Sequence, residues 1–384
     1  MVELIANVNS AVNGFVWGVP MLVLLVGTGI LMTILTKFFQ LSHIGHWFKN
    51  TVGGIFHDEH VTKHTEAGDQ SISQFQSLCT ALAATIGTGN IVGVASALVA
   101  GGPGAIFWMW VVAFFGMMTN YSENVLGIYY RRRNSKGEWS GGAMYYLKDG
   151  LGSYKGCKQV GAVLAVLFSA FCLLASFGIG NMSQVNSIAA NMSSAFSIPA
   201  TATGIVLVII GALVIVGGLK RIAAVTEKLV PFMAIAYVIG ALVIFFANIS
   251  HVGAVFTAIF KGAFGLRAVG GGIVGSGVKL ALTWGMKRGV FSNEAGLGSS
   301  VMVHSSSNVK EPVRQGMWGI FEVFADTMVV CTLTAFAVLS SGLIDLDTGA
   351  VLVDVSGSAL VGQAFATVFG SFGPAFIAIA ILLF

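Results

Sequence analysis

Two stretches of this chain place polar residues and glycines inside apolar runs, where they could do ligand chemistry. In ATIGTGNIVG, residues 84–93, Gly87, Thr88, Gly89 and Asn90 interrupt what otherwise reads as one helix. A glycine costs about 1 kcal/mol relative to alanine within a helix, so two of them beside two polar residues mark an unwinding. Unwinding frees amide N–H groups at the start of the following half-helix, where the positive dipole end favours an anion such as a carboxylate. Carbonyls freed on the preceding half-helix suit an ammonium or Na⁺. A zwitterionic amino acid matches both ends, which makes Gly87, Thr88, Gly89 and Asn90 candidate substrate-binding residues.

The second stretch is GGGIVGSGVKLALTWGMKRGVFSNEAGLGSS, residues 270–300. Continued to Val303 it exceeds the length of a straight crossing, with Gly285, Lys287, Arg288 and Gly289 near its middle. A second break is expected there, putting Thr283, Trp284 and Gly285 at the cavity. The two basic side chains then need acidic partners, with Glu322, Asp326 and Glu294 the candidates, or a water-filled cavity.

The elements that must position these residues follow from composition. The chain has 384 residues, 55% hydrophobic and 9% charged, with a mean hydropathy of +0.85. Its apolar runs repeatedly reach the roughly 20 residues that cross a bilayer, and they do not alternate as barrel strands do. An all-α polytopic membrane protein is the expected class. Nine spans are predicted, near residues 12–36, 72–100, 103–130, 160–190, 200–219, 229–249, 271–303, 313–343 and 360 to the end. Alternating sides puts fifteen Lys and Arg on one face and only Lys261 and Arg267 on the other. The basic face is therefore cytoplasmic, in a multi-pass protein of the plasma membrane.

Cys79, Cys157, Cys172 and Cys331 lie far apart, mostly in apolar runs, and read as small hydrophobes. The first 20 residues show no basic n-region or small-residue cleavage site, so no cleavable leader is expected. QLSHIGHWFKNTVGGIFHDEH, residues 40–60, has helical apolar spacing amid polar residues and predicts an interfacial helix. His57, His60 and His64 read as a water-facing loop in preference to a metal site. Ser71 and Gln74 have capping-box spacing, starting the second span at Ile72.

Counted from that span, the interrupted helices are the first and the sixth. Broken helices in corresponding positions predict an inverted-repeat transporter of two five-helix halves with a midplane site. The resulting division is 1–71 for a leading transmembrane helix and the interfacial segment, 72–249 for the first repeat, and 250–384 for part of the second.

Other polar residues within spans have less specific signals. Glu322 and Asp326, four apart, share a helix face and serve either as structural pairs or as a proton relay. Asn181, Gln184 and Asn186 line a pathway or bond between helices. Phe168 and Phe171 are candidate walls of a small apolar pocket. Gly87, Gly89 and Gly93 imitate a dinucleotide fingerprint, but no strand precedes them, and nothing else suggests a nucleic-acid or nucleotide partner. An intramembrane enzyme would need motifs such as H-E-x-x-H or G-x-S-x-G within the spans, and these do not occur.

GGPGAIFWMWVVAFFG, residues 101–116, and GMKRGVFSNEAGLGS, residues 285–299, resemble signature blocks of the alanine or glycine:cation symporter family. The resemblance covers essentially the whole chain and implies the inverted-repeat amino-acid transporter fold, alanine or glycine as substrate and Na⁺ as coupling ion. It also implies a Na⁺ site formed partly by Ala84, Thr85 and Gly87. In this fold that site reaches hydroxyls on the eighth helix of the repeat set, which would lie beyond Phe384. The chain stops within AIAILLF where similar proteins continue, so the second half is expected to be incomplete. Proton coupling and a passive channel stand as the alternatives.

Overall fold

A computed structural model of the chain describes residues 2–63, 69–265 and 274–384. The regular elements of the described part are helices, apart from one hairpin of two-residue strands and two isolated bridges. Helices α1 (Val2–Val16) and α2 (Val19–Leu35) form one leading span, with Pro20 in the first turn of α2, where its missing N–H is not needed. Short helices α3 (Phe39–Ser42), α4 (Ile44–Asn50), α5 (Val52–His57) and α6 (Glu59–Thr62) follow, where the sequence predicts one interfacial helix. It is tucked in: Trp47 is buried and donates to the Gln40 carbonyl at 3.1 Å, and its ring meets Phe324.

The first interrupted helix comprises α7 (Gln74–Thr85) and, after a π-helical turn at Gly89–Gly93, α8 (Val94–Gly101); its two halves are bent by 47°. Its capping box uses Ser73 and Gln76, with both reciprocal hydrogen bonds formed, and so lies two residues beyond the expected Ser71–Gln74 pair. Helix α9 (Gly104–Tyr130) is the central post. A hairpin of β1 (Arg132–Arg133) and β2 (Trp139–Ser140) and the short α10 (Ala143–Tyr145) lead to α11 (Lys158–Phe177) and α12 (Ser183–Phe196). These two are joined by a π turn and read as one span. Then come α13 (Ala200–Ile215), α14 (Gly218–Ala247), α15 (Val252–Phe264), α16 (Val274–Asn293), α17 (Ser300–His304), α18 (Pro312–Val323), α19 (Thr332–Ser340), α20 (Gly357–Phe369) and α21 (Phe372–Leu383).

Among the described residues five helices are long and apolar enough to cross a membrane, or six with the bent pair. Three predicted spans differ. That at 200–219 is the 16-residue α13, and that at 271–303 is α16 and α17 with a gap between them. The predicted ninth span is a hairpin. Phe365 stacks on Phe376 at 5.4 Å while Phe369 meets Phe372, the pairing of two antiparallel helices folded about Gly370 and Ser371. At 13 residues the first arm is about 20 Å long, too short to cross. The hairpin packs on Tyr237 of α14 and against α8 and α12.

Gly285 and Gly289 do not break their helix. α16 runs unbroken from Val274 to Asn293, and these glycines, four apart and so on one face, let it lie directly against α9. A Cβ on Gly285 would stand 2.3 Å from the Ala105 carbonyl oxygen. The unwinding comes later, between α16 and α17, where Glu294, Gly296 and Gly298 take φ of 54°, 91° and 74°.

Candidate binding site at two helix breaks

The two breaks face each other across a short gap. A Cβ on Gly89 would lie 3.6 Å from Cα of Ser292, at the end of α16. At the first break, Asn90 Oδ1 accepts the Gly87 amide at 2.8 Å, and the Asn90 amide donates to the Gly87 carbonyl at 3.1 Å. Two of the four amides expected to meet an anion are therefore held internally. Those of Thr88 and Gly89 open the outer half-helix, where no earlier carbonyl of that half-helix can accept them. On the other side, the last carbonyls of α7, including Ala84 and Thr85, are left without helical donors where the chain unwinds.

The second break is capped from two directions. Asn293 Oδ1 accepts the Ala295 amide at 3.1 Å, and Glu123 of α9 accepts the Gly296 amide at 3.0 Å. Glu294 takes a hydrogen bond from Ser299. Phe168 packs on this break: a Cβ on Gly298 would fall 2.8 Å from its ring.

One carboxylate joins the breaks. Asp326, fully buried, accepts from Asn90 Nδ2 at 2.6 Å, from Ser292 Oγ at 2.9 Å and from Thr327 Oγ1 at 2.7 Å. Asn90 is equally buried, with both ends of its amide committed, so it shapes the break and does not face a ligand directly.

Beside the breaks lies a cavity of about 290 Å³, lined by Ala83, Ala84, Thr85, Gly89, Gly180, Gln184, Phe291, Glu294 and Phe384. It sits at the small end of the roughly 300–1,000 Å³ range of ligand pockets. Gln184 Oε1 is buried there without a hydrogen-bond partner. Of the residues expected from the sequence, Ala84, Thr85 and Gly89 line the cavity; Gly87 sits 3.4 Å, by its built Cβ, from the Gln184 amide. Thr88 and Asn90 complete the break. Phe168 lies against the second break and does not line the cavity.

Thr283, Trp284 and Gly285 fall elsewhere, because the helix that carries them is not broken beside them. Trp284 packs on Gly101 and borders a separate cavity of about 230 Å³ with Asn13, Trp17, Lys287, Arg288 and Phe291. The expected acidic partners of Lys287 and Arg288 are committed to other groups, and no ion pair forms at either base among the described residues. Arg288 instead stacks over Trp284 and Phe291, at 5.5 and 5.6 Å from their ring centres.

Sequence reasoning gave Glu294 only as a partner for those bases, and it passed over Ser292, Glu123 and the buried His304. Among the described residues no group of three His, Cys, Asp or Glu could hold a metal ion, and His64 lies outside them.

Comparison with known proteins agrees over the full chain. The model of the sodium:alanine symporter family matches residues 2–384. The chain is 45% identical over 364 residues to the sodium/alanine symporter AgcS of Methanococcus maripaludis, covering 94% of this chain and 76% of that one. It is 37% identical over 386 residues to a putative sodium/proton-dependent alanine carrier protein, YrbD of Bacillus subtilis, covering 99% and 75%. With the probable sodium/glutamine symporter GlnT of Bacillus subtilis it shares 34% identity over 385 residues, 100% of this chain and 74% of that one.

Proposed function

The chain belongs to the sodium:alanine symporter family, as a multi-pass membrane transporter and not an enzyme, and we propose that it imports alanine or glycine together with Na⁺. The observation that carries this reading is the cavity at the breaks, lined by Ala84 and Thr85 at the end of one half-helix and by Gly89 at the start of the other. The Thr88 and Gly89 amides, at a helix start, receive the substrate carboxylate. The α7 carbonyls of Ala84 and Thr85, the partnerless Gln184 oxygen and Glu294 attract the ammonium and Na⁺. Gly87 contributes through its carbonyl, already shared with the Asn90 amide. The small volume favours a short side chain over glutamine.

The two facing breaks support the division into repeats at 72–249 and 250–384, the second inverted relative to the first. Energetically, one Na⁺ moving down 100 mV supplies about 2.3 kcal/mol, and a tenfold gradient adds about 1.4 kcal/mol. Together these sustain accumulation of several hundred-fold.

Uptake of labelled alanine by proteoliposomes tests the reading. Accumulation above equilibrium under an inward Na⁺ gradient, lost when K⁺ replaces Na⁺, is expected. Equilibration without accumulation would make the protein a channel. Accumulation driven equally by a proton gradient without Na⁺ would reassign the coupling ion, and glutamine outcompeting alanine would reassign the substrate.

A further inference from the structure

Apart from the cavity, toward the basic loops, lies a second buried polar network that transport as described leaves unused. His304, the last residue of α17, places Nε2 3.0 Å from Oε2 of Glu322 in α18, and both side chains are wholly buried. Gln315 orients the imidazole. Its Oε1 accepts the Ser307 hydroxyl at 3.0 Å, so its Nε2 faces His304 Nδ1 at 2.5 Å. An amide nitrogen only donates, which makes Nδ1 the acceptor and leaves the ring's one proton on Nε2, aimed at Glu322. Asn120 Nδ2 also donates to Glu322 Oε2, at 3.1 Å.

The charge count is then unbalanced. A neutral imidazole beside a carboxylate leaves one negative charge, and the other carboxyl oxygen, Oε1, is buried with no hydrogen-bond partner. The neighbouring ionisable groups do not balance it. Glu123 on α9, Glu294 at the second break and Asp326 beyond α18 are acids that interact unfavourably with Glu322. Arg131, at the end of α9, spends its guanidinium on the carbonyls of Ser305, Ser307 and Val309, and Arg314 on α18 pairs with Asp58. Helix α7 contributes Ser77 to the imidazole and has only the Cys79 thiol to titrate. A buried carboxylate oxygen that no donor of the protein reaches is costly, and a proton on it removes the cost of the charge.

We propose that Glu322, oriented by His304, is a proton-binding site of this transporter, holding a proton on Oε1 while the His304 side chain of α17 is bonded to α18. Helix α17 also packs on α7, the inner half of the first broken helix. Separating these half-helices from α18 breaks the His304–Glu322 contact, wets the carboxyl and releases its proton to the cytoplasmic side. Protonation accordingly favours the packed state, whose population rises as pH falls. The consequence for transport rests on the function proposed above; the proton site itself does not.

The full chain, reconstituted without amino acid and titrated between about pH 5 and 9, is followed by infrared difference spectroscopy. One protonated-carboxyl band present in the wild type is expected to vanish in Glu322→Gln. In His304→Gln its titration midpoint is expected to move by about one pH unit or more. An unchanged band in Glu322→Gln overturns the proposal, as does an unmoved midpoint in His304→Gln; should Glu322→Gln fail to fold, the midpoint in His304→Gln decides alone. Alanine exchange supplies the second measurement, changing about tenfold across the range in the wild type and flat in Glu322→Gln; a wild-type profile in folded Glu322→Gln overturns the proposal. If the wild type exchanges no alanine, the substrate reading falls and the infrared result still decides the proton site.

Discussion

The two helix breaks look alike in outline and differ in what their glycines are for. At the first, Gly87 and Gly89 keep ordinary backbone angles, and a Cβ on either would meet only van der Waals contacts. At the second, Gly296 and Gly298 have φ of 91° and 74°, and a Cβ would strike Leu25 and Phe168 at 2.8 Å. Glycine at the second break is demanded by the backbone. At the first the backbone makes no such demand, and under the function proposed above a bare Gly89 leaves room in the cavity for a substrate. The lesson is that a shared sequence signal, a glycine pair two residues apart, covers one pair that the backbone requires and one that it does not.

Mutations can break or sharpen this contrast. The largest effect is expected from Asp326→Ala, which strips the acceptor from both breaks and orphans donors on Asn90, Ser292 and Thr327. At about 1–3 kcal/mol for each of these orphaned buried donors, a loss of roughly 3–9 kcal/mol is expected in thermal unfolding. Unchanged stability would mean that the breaks hold independently.

Gly298→Ala should cost about 1–3 kcal/mol of stability, because alanine resists the left-handed backbone and its methyl meets Phe168. Gly89→Ala should leave stability within about 0.5–1 kcal/mol, the usual effect of a tolerated glycine replacement, and weaken alanine binding by calorimetry. The reverse pattern, with Gly89→Ala unstable and Gly298→Ala silent, would exchange the roles assigned to the two breaks. Asn90→Ala should weaken alanine binding by about 1–3 kcal/mol through loss of the Gly87 cap, as is usual when one partner of a buried hydrogen bond is removed.

The smallest effect belongs to a control far from both. Burial raises the Asp58 carboxyl, but the hydrogen bond and charge of Arg314, with the His60 amide, outweigh it and hold Asp58 below the usual carboxylate range. A carboxyl depressed in the folded state adds stability that is present above its unfolded value of about 4 and is lost as pH falls through the folded value. Asp58→Asn should therefore lower the melting temperature slightly at neutral pH, by no more than the 0–1 kcal/mol typical of exposed pairs, with the difference closing below about pH 4. A larger loss would show that this bridge anchors α6 to α18.

What the sequence made legible follows the same distinction. Gly87 and Gly89 cannot share a helix face, so their pairing reads as an unwinding, and it is one. Gly285 and Gly289 do share a face, and reading them as a break missed that four-residue spacing also suits a helix packed tightly on its neighbour. The true second break was written in Gly296 and Gly298, again two apart, next to Asn293, whose side chain caps it. The hairpin of α20 and α21 was masked by its apolar composition, although Gly370, Gly373 and Pro374 stand close together at its turn. The burial of His304 had no local signal: it depends on α17, α18 and α9 meeting, and its sequence neighbours are serines typical of an exposed loop.

Because Asp326 accepts from Asn90 on one broken helix and from Ser292 on the other, neither break relaxes without the other sensing it. Equilibrium linkage then requires reciprocity: whatever a ligand at the first break does to the affinity of the second, occupancy of the second must do to the first by the same factor. A single carboxyl group thereby makes one unit of two breaks that the chain itself keeps some two hundred residues apart.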